Sequence, residues 1–229
     1  MSTIKLYIPM DTSAVAMGVE DLITPIRQKA ESQGVQLQII RNGTRGLLWL
    51  EPLIEVETSK GRIGYGPVSL DDLESLFEAD WLHGGDHALC HGLTEEIPYL
   101  KSQERLTFAR IGIINPLSLE DYSKHGDWSG LSKALTMDAQ QIVQEVTDSG
   151  LRGRGGAAFP TGIKWQTVKE AVSDQKYIVC NADEGDSGTF SDRILIEADP
   201  YCLIEGMIIA GLAVGASRGY IYLRSEYPI

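Results

Sequence analysis

Cysteine is scarce in this chain. Three residues in 229, Cys90, Cys180 and Cys202, are odd in number and far apart, and no CxxC occurs. That excludes a disulfide framework and gives the chain no zinc or iron–sulfur ligand set of its own; it suits a reducing, cytoplasmic setting. Positive charge is also in short supply. Twenty Lys and Arg stand against 32 Asp and Glu, a formal net charge of -12, with a pI of about 4.8. This balance speaks against nucleic acid or an anionic membrane surface as partner. Long apolar runs are missing: the longest, Met207 to Ala216, is about half of what a bilayer span requires, so no membrane insertion is expected. The opening Met1-Ser-Thr-Ile-Lys-Leu-Tyr-Ile8 has no charged region leading into an apolar core, as a secretory signal would. There is no internal repeat and no low-complexity tract. What is present, 43% hydrophobic residues at a mean hydropathy of -0.10, is enough for an ordinary core in one large domain or two small ones.

Against the acidic background one segment stands out. Gly150-Leu-Arg-Gly-Arg-Gly-Gly-Ala-Ala-Phe-Pro-Thr-Gly-Ile-Lys-Trp165 holds five glycines with Arg152, Arg154 and Lys164, and no acidic residue falls between Asp148 and Glu170. Glycine brings bare N–H groups close to a ligand, and arginine and lysine supply charge and donors for phosphate. The simplest reading is a cradle for a phosphorylated cofactor. Gly153-Arg-Gly155-Gly-Ala-Ala158 formally fits GxGxxG/A, but a Rossmann turn needs a strand directly before it, and here the preceding segment reads as a helix. A P-loop fails as well, because Trp165 follows Lys164 where Ser or Thr is required.

The pattern along the chain predicts two α/β regions. Ile4, Leu6 and Ile8 alternate as in a strand. Residues 15–32 carry a helical stripe (Val19, Leu22, Ile23, Ile26, Ala30) with Ser13 as N-cap and Gly34 as stop. Val35, Leu37 and Ile39 alternate again, then Ile54 and Val56, then Gly61 to Gly66. Ser69 with Asp72 caps a short helix through Leu73, Leu76 and Phe77. The order β-α-β-β-β-α over residues 1–82 resembles a thioredoxin-like domain. Residues 83–131 read as a connector, broken by glycines and prolines. His83, His87, Cys90 and His91 cluster there; a helix would bring the three histidines to one face, but Gly84, Gly85 and Gly92 argue against one, and no metal site is expected. From residue 132 to 229 the chain reads as a second α/β domain, incomplete at its C-terminus. Thr136 caps a helix with Ala139, Ile142, Val143 and Val146 inward and Gly150 at C′. A short stripe of Trp165, Val168, Ala171 and Val172 follows the glycine run. Tyr177 to Cys180 is a strand, 192–198 and 200–215 are helices, and Gly219 to Leu223 is a last strand. The strand at Cys180 feeds a loop with Asn181, Asp183, Glu184 and Asp186. Strand ends in α/β sheets are where ligands sit. Asparagine suits a flat heterocycle, and the carboxylates face a part of the ligand other than its phosphate.

Taken together, Ser149 to Trp165, Cys180-Asn-Ala-Asp-Glu-Gly-Asp186 and Tyr222-Leu-Arg-Ser-Glu-Tyr227, with Ile113-Ile-Asn-Pro-Leu-Ser-Leu-Glu-Asp-Tyr122 as lead-in, resemble the FMN-binding flavoprotein subunit shared by respiratory complex I, NAD-reducing hydrogenases and soluble NAD-dependent formate dehydrogenases. The resemblance implies a partial FMN-binding, Rossmann-like α/β domain. It implies that Gly153, Arg154, Gly155, Gly156 and Lys164 hold the FMN phosphate and flavin edge. Asn181, Asp183 and Glu184 would contact the flavin ring and ribityl chain. Phe159, Asp186, Tyr222 and Glu226 would line the NADH pocket. It implies hydride transfer between NAD and FMN and single-electron steps beyond, with no general base, so no catalytic residue is named. A [4Fe-4S] cluster is expected on a missing C-terminal part, and Cys180 and Cys202 read as core thiols. Several positions depart from the family's pattern: Ala158 and Ser225 where glycine is common, Asp186 where glutamate is usual, and Gln166 and Thr167 where aromatics often follow. The first domain resembles the [2Fe-2S] thioredoxin-like subunit of the same complexes, with Asp11, Thr12 and Ser13 where cluster cysteines would stand. This fusion looks most like the β subunit of molybdenum- or tungsten-dependent formate dehydrogenase. Its implied partners are a molybdopterin-containing α subunit and a [2Fe-2S] thioredoxin-like γ subunit. The alternatives are the equivalent hydrogenase or complex I subunit, or a non-catalytic assembly module.

Overall fold

The computed structural model describes residues 3–126, 128–225 and 227. It is an α/β protein that divides into two compact units. One consists of the residues up to Asp121 together with Ile194–Asp199; the other consists of Tyr122–Arg193 and the residues from Pro200 on.

The first unit is built on a mixed five-stranded sheet. β1 (Ile4–Pro9) is followed by helices α1 (Thr12–Ala16) and α2 (Val19–Ser32), then β2 (Leu37–Asn42), β3 (Ile54–Thr58), β4 (Gly61–Tyr65), α3 (Leu73–Glu78), β5 (Cys90–Leu93) and the single turn α4 (Pro98–Lys101). The strand order is β2-β1-β3-β4-β5. β1 and β2 are parallel, with Leu6 opposite Ile39, and the remaining neighbours are antiparallel. This is the β-α-β-β-β-α succession read from the sequence, with β5 added at the edge. Leu6, Ile8, Val19, Leu22, Ile26, Ile54, Val56, Leu76 and Trp81 form its core.

Two details differ from the sequence expectation. The first helix is split: Gly18 takes a left-handed φ of +83°, which ends α1 and starts α2. Its cap is Asp11 rather than Ser13, because the Asp11 carboxylate accepts from the N–H groups of Ser13 and Ala14. The Ser69–Asp72 capping box is present, with Asp72 accepting from the Ser69 N–H at 2.8 Å.

Within this unit the stretch after β5 is fastened to the sheet by arginines. Arg62 lies 3.4 Å over the Tyr7 ring and donates to the carbonyls of Gly112 and Ile113, while Asn42 donates to Gly112 as well. Gly112 sits at φ +78°, where a side chain would collide with Arg45. Arg45 is buried and forms a two-point ion pair with the fully buried Glu55 (2.7 and 2.8 Å) and a third contact to Glu95 (2.9 Å). His83, His87 and His91 share no face, because Cys90–Leu93 is a strand. His83 pairs with Asp80, His87 with Ser75 and His91 with the Gly66 carbonyl. No group of three metal-donor side chains occurs among the described residues, and no helix among them is long and apolar enough to cross a membrane.

The second unit contains the rest of α5 (Leu119–Gly126), α6 (Ser129–Ala134), α7 (Ala139–Asp148), α8 (Thr161–Glu170), β6 (Tyr177–Ala182), α9 (Ser191–Ala198), most of which belongs to the first unit, α10 (Pro200–Val214) and β7 (Arg218–Leu223). β6 and β7 form a two-stranded parallel sheet with Asn181 opposite Tyr222. Asp138, not Thr136, caps α7, because its carboxylate reaches the Gln141 N–H while the Gln141 side chain accepts from the Asp138 N–H. Ile142 and Val143 are buried against Ala213 and Val214, and Gly150 ends the helix at φ +67°. The stripe expected after the glycine run does not hold: α8 stops at Glu170 and Val172 is fully exposed. α8 instead meets α7 through Gly162, where an added methyl would lie 2.1 Å from Thr147 Oγ1.

Candidate functional site

The glycine run forms a closed loop. Gly153 N–H donates to the Phe159 carbonyl and Thr161 N–H to the Leu151 carbonyl, both at 2.9 Å, and Arg152 and Pro160 form an isolated bridge. Arg152 also donates to the Ala158 carbonyl. Between these closures the N–H groups of Arg154 to Ala158 donate to no described residue. Gly156 is left-handed at φ +90°, and a side chain on Gly155 or Gly156 would point into open space. The loop tip therefore offers unsatisfied backbone donors, the pattern of an anion-binding concavity. Lys164, on the first turns of α8, extends back over the loop: a β-carbon on Gly153 would lie 3.1 Å from its Nζ. A side chain at Gly153 would therefore press on the end of the lysine, while the backbone angle at Gly153 places no such demand.

Ala158 holds a left-handed φ of +48°, a conformation that costs an L-residue about 1–2 kcal/mol. This explains physically why glycine suits the position. Ala158→Gly is expected to stabilise the second unit by up to about 1 kcal/mol, the relief of strain exceeding the added chain entropy. Urea melts of both proteins check this; a variant that is less stable would show that the loop bears no strain there.

Opposite in kind is the loop after β6. Asn181 Oδ1 accepts from the Asp183 N–H, which leaves its amide N–H₂ available. Glu184 is buried, and its carboxylate accepts from the Asp192 and Arg193 N–H groups (2.9 and 3.0 Å) and from the Ser191 and Tyr227 hydroxyls. Burial acts to raise this carboxyl, but those donors more than offset it and hold it below the usual carboxylate range. Burial and the Glu184 charge push Asp192 the other way, upward. The Glu184 carbonyl receives Arg224. Glu184 is therefore the N-terminal cap of α9 and an anchor for the segment after β7, so its oxygens are engaged by the protein.

Arg154, Gly155, Gly156, Asn181, Asp183, Glu184 and Asp186 line one cavity of about 880 Å³, together with Gly185, Thr189, Ser191 and Asp192. Cation and backbone donors come from the glycine loop, and amide and carboxylates come from the loop after β6. The volume falls within the range of cofactor sites. Gly153 and Lys164 stand at the base of the glycine loop, and Phe159, half-exposed, flanks it. Tyr222 is exposed on β7 beside Asn181. Glu226 lies outside the described residues. Gly185, Thr189, Ser191 and Asp192 were not anticipated. Their signal was the Gly188-Thr189 pair before a helix start, which the loop's acidic residues obscured. Cys180 lies half-buried on β6, where burial pushes its thiol up.

Residues 146–229 match the family model of the Nuo51 FMN-binding domain. The chain is 50% identical over 129 residues to the NADP-reducing hydrogenase subunit HndC of Solidesulfovibrio fructosivorans, covering 56% of this chain and 26% of that protein. It is 53% identical over 111 residues to an NADH-quinone oxidoreductase subunit of Aquifex aeolicus, covering 48% and 26%. To the NAD-reducing hydrogenase HoxS subunit alpha of Cupriavidus necator it is 48% identical over 97 residues, covering 42% and 16%. The chain thus spans 26% or less of the length of these relatives. A crystal structure of NAD+-reducing [NiFe]-hydrogenase in the air-oxidised state aligns with 98% of this chain and 38% of its own, at 24% identity and a TM-score of 0.43. The stretch from residue 146 is thus similar to the Nuo51 FMN-binding domain, and the relatives that it resembles are subunits of NADH-quinone oxidoreductases and of NAD- or NADP-reducing hydrogenases.

Proposed function

We propose that this chain is the flavoprotein subunit of an NAD-dependent formate dehydrogenase, exchanging electrons between NAD and iron–sulfur clusters through FMN, with formate chemistry on a molybdopterin-containing partner. The observation that carries the flavin reading is the cavity walled by an N–H-rich, basic glycine loop and by the loop after β6. The residues present fit FMN: Arg154, Lys164 and the donors at Gly155 and Gly156 suit its phosphate, and Asn181 and Asp183 suit the ring and ribityl chain. When bound, FMN supplies the step from two-electron hydride chemistry to single-electron transfer. The chain's own residues bind and orient. Lys164 brings charge to the phosphate end, Asn181 offers its amide to the heterocycle, and Glu184 fixes the wall by capping α9. Phe159, Tyr222 and Asp186 stand where the nicotinamide nucleotide would enter.

The names of the relatives favour a second reading equally, the corresponding subunit of an NAD-reducing hydrogenase or of complex I. The two differ in partner, not in flavin chemistry. Co-purification of the full protein with a molybdopterin enzyme or with a nickel–iron one separates them.

The flavin site is tested on the purified full protein. A visible flavin absorption band is expected for this cofactor class, and protein that stays colourless after FMN addition overturns the reading. Lys164→Ala is expected to weaken FMN retention by about 1.5–3 kcal/mol, the worth of a charge-assisted contact. Flavin occupancy across a dilution series measures it, and an unchanged occupancy counts against the cradle.

A further inference from the structure

A cavity of about 210 Å³ lies in the first unit, lined by Arg45, Glu95, Gln103 and Arg105 and by the aliphatic residues Leu100, Ile111 and Ile113. The two arginines are in opposite situations. Arg45 has its charge answered twice, by Glu55 on two nitrogens and by Glu95 on the third. Arg105 forms no ion pair with a described carboxylate. Its Nε donates to the Gln103 side-chain carbonyl and its Nη2 to the Arg45 main-chain carbonyl, both at 2.9 Å. These acceptors are neutral: they fix the guanidinium and leave its charge unmet. Nη1 donates to no described residue, and it is not sealed within the protein.

The Arg105 charge is held against its environment. Burial and the neighbouring Arg45 guanidinium push it below its ordinary value, and Glu95 and Tyr99 offset this only in part. A guanidinium that is half-buried, held in place and short of an anion is a pre-organised recognition element.

The rest of the lining narrows the ligand. Glu95, 2.9 Å from Arg45, belongs to the same lining, so its charge disfavours a dianion, and a single negative charge is enough to answer Arg105. Leu100, Ile111 and Ile113 give the cavity an apolar side. Phosphate or sulfate gains nothing there, whereas a short alkyl chain gains by leaving water. The volume is below that of a cofactor site and admits only a small molecule.

We propose that this cavity binds a short-chain monocarboxylate, with its carboxylate on Arg105 and its alkyl chain against Leu100, Ile111 and Ile113. The site lies wholly in the first unit and is independent of the flavin reading.

The test is a ligand-observed NMR titration of the full protein with butyrate, with butyramide as its uncharged counterpart and inorganic phosphate as the competing anion. Native protein is expected to bind butyrate at one saturable site and about tenfold or more tightly than butyramide, consistent with a charge-assisted contact. Arg105→Met is expected to weaken butyrate about tenfold or more and to leave butyramide unaffected. Arg105→Lys, which keeps the charge but not the planar fork, is expected to fall between the two. No saturable binding of butyrate, equal binding of butyrate and butyramide, or equal butyrate affinity in native protein and Arg105→Met overturns the proposal. So does phosphate that binds more tightly than butyrate and is lost with Arg105→Met, which would make this an inorganic-anion site. Lys164→Ala is expected to leave butyrate affinity unchanged; a loss there and not in Arg105→Met would put the carboxylate on the glycine loop, overturning this assignment without touching the flavin reading. Should Arg105→Met fail to fold by circular dichroism, Arg105→Lys decides: undiminished butyrate affinity would then count against a guanidinium contact.

Discussion

Arg45→Met is expected to destabilise the first unit by about 3–5 kcal/mol, the cost of leaving a buried charge without its partner. Burial works against the Arg45 charge, and Glu55 and Glu95 more than offset it. Without the guanidinium, Glu55 is fully buried and keeps only Arg62, at 3.8 Å. Urea melts measure the loss, and one control defines its cause. Arg45→Met with Glu55→Leu should recover most of it, since an apolar pair of similar volume removes the stranded charge. A loss below about 1 kcal/mol, the value of an exposed pair, would show that the ion pair is solvated.

The second large effect concerns Glu51, which lies almost fully buried between Thr44 and the Leu53 N–H. Burial pushes its carboxyl up to about 7, with the Asp11 and Glu55 charges adding to the rise and the Thr44 and Leu53 hydrogen bonds opposing it. The folded protein therefore holds a proton that the unfolded chain releases above its ordinary carboxyl pKa of 4.5. Stability from this group is fully present below that value and declines as pH rises toward about 7, by about 3 kcal/mol in all. Glu51→Gln removes the titration while keeping an acceptor for Leu53. It is expected to match the native protein near pH 5 and to exceed its stability at pH 8 by up to about 3 kcal/mol. Melts at the two pH values decide this; a difference independent of pH would place the Glu51 charge in contact with water.

The regular elements were legible in the sequence because each carries its own periodicity. The alternation of Ile4, Leu6 and Ile8, the stripe from Val19 to Ala30, and the run Tyr177 to Cys180 each became the expected element. What stayed hidden depended on single backbone angles or on distant partners. The break at Gly18 is a single left-handed residue within the helix expected over residues 15–32. The pairing of β5 with β4 needs Tyr65 opposite Cys90, and nothing local in Cys90-His-Gly-Leu93 announces it. The same holds at the site. The glycine loop and the residues from Asn181 to Asp186 were visible as segments, and the structure brings them to one cavity. The capping of α9 by Glu184 was not visible, because a carboxylate in an acidic loop reads the same whether it faces a ligand or a helix end.

The Glu184 anchor sets the order in which the site is assembled. Its carbonyl is held by Arg224, 40 residues further along the chain, and β6 pairs with β7. Parallel pairing over such a separation must first close a long loop, which makes it slow relative to local helix formation. The glycine loop, closed by bonds within residues 151–161, forms early and locally. The facing wall is finished only after the chain has been synthesised through Arg224. A ligand that needs both walls therefore finds them only after Arg224 has been translated, so its binding follows β7 rather than guiding the fold toward it.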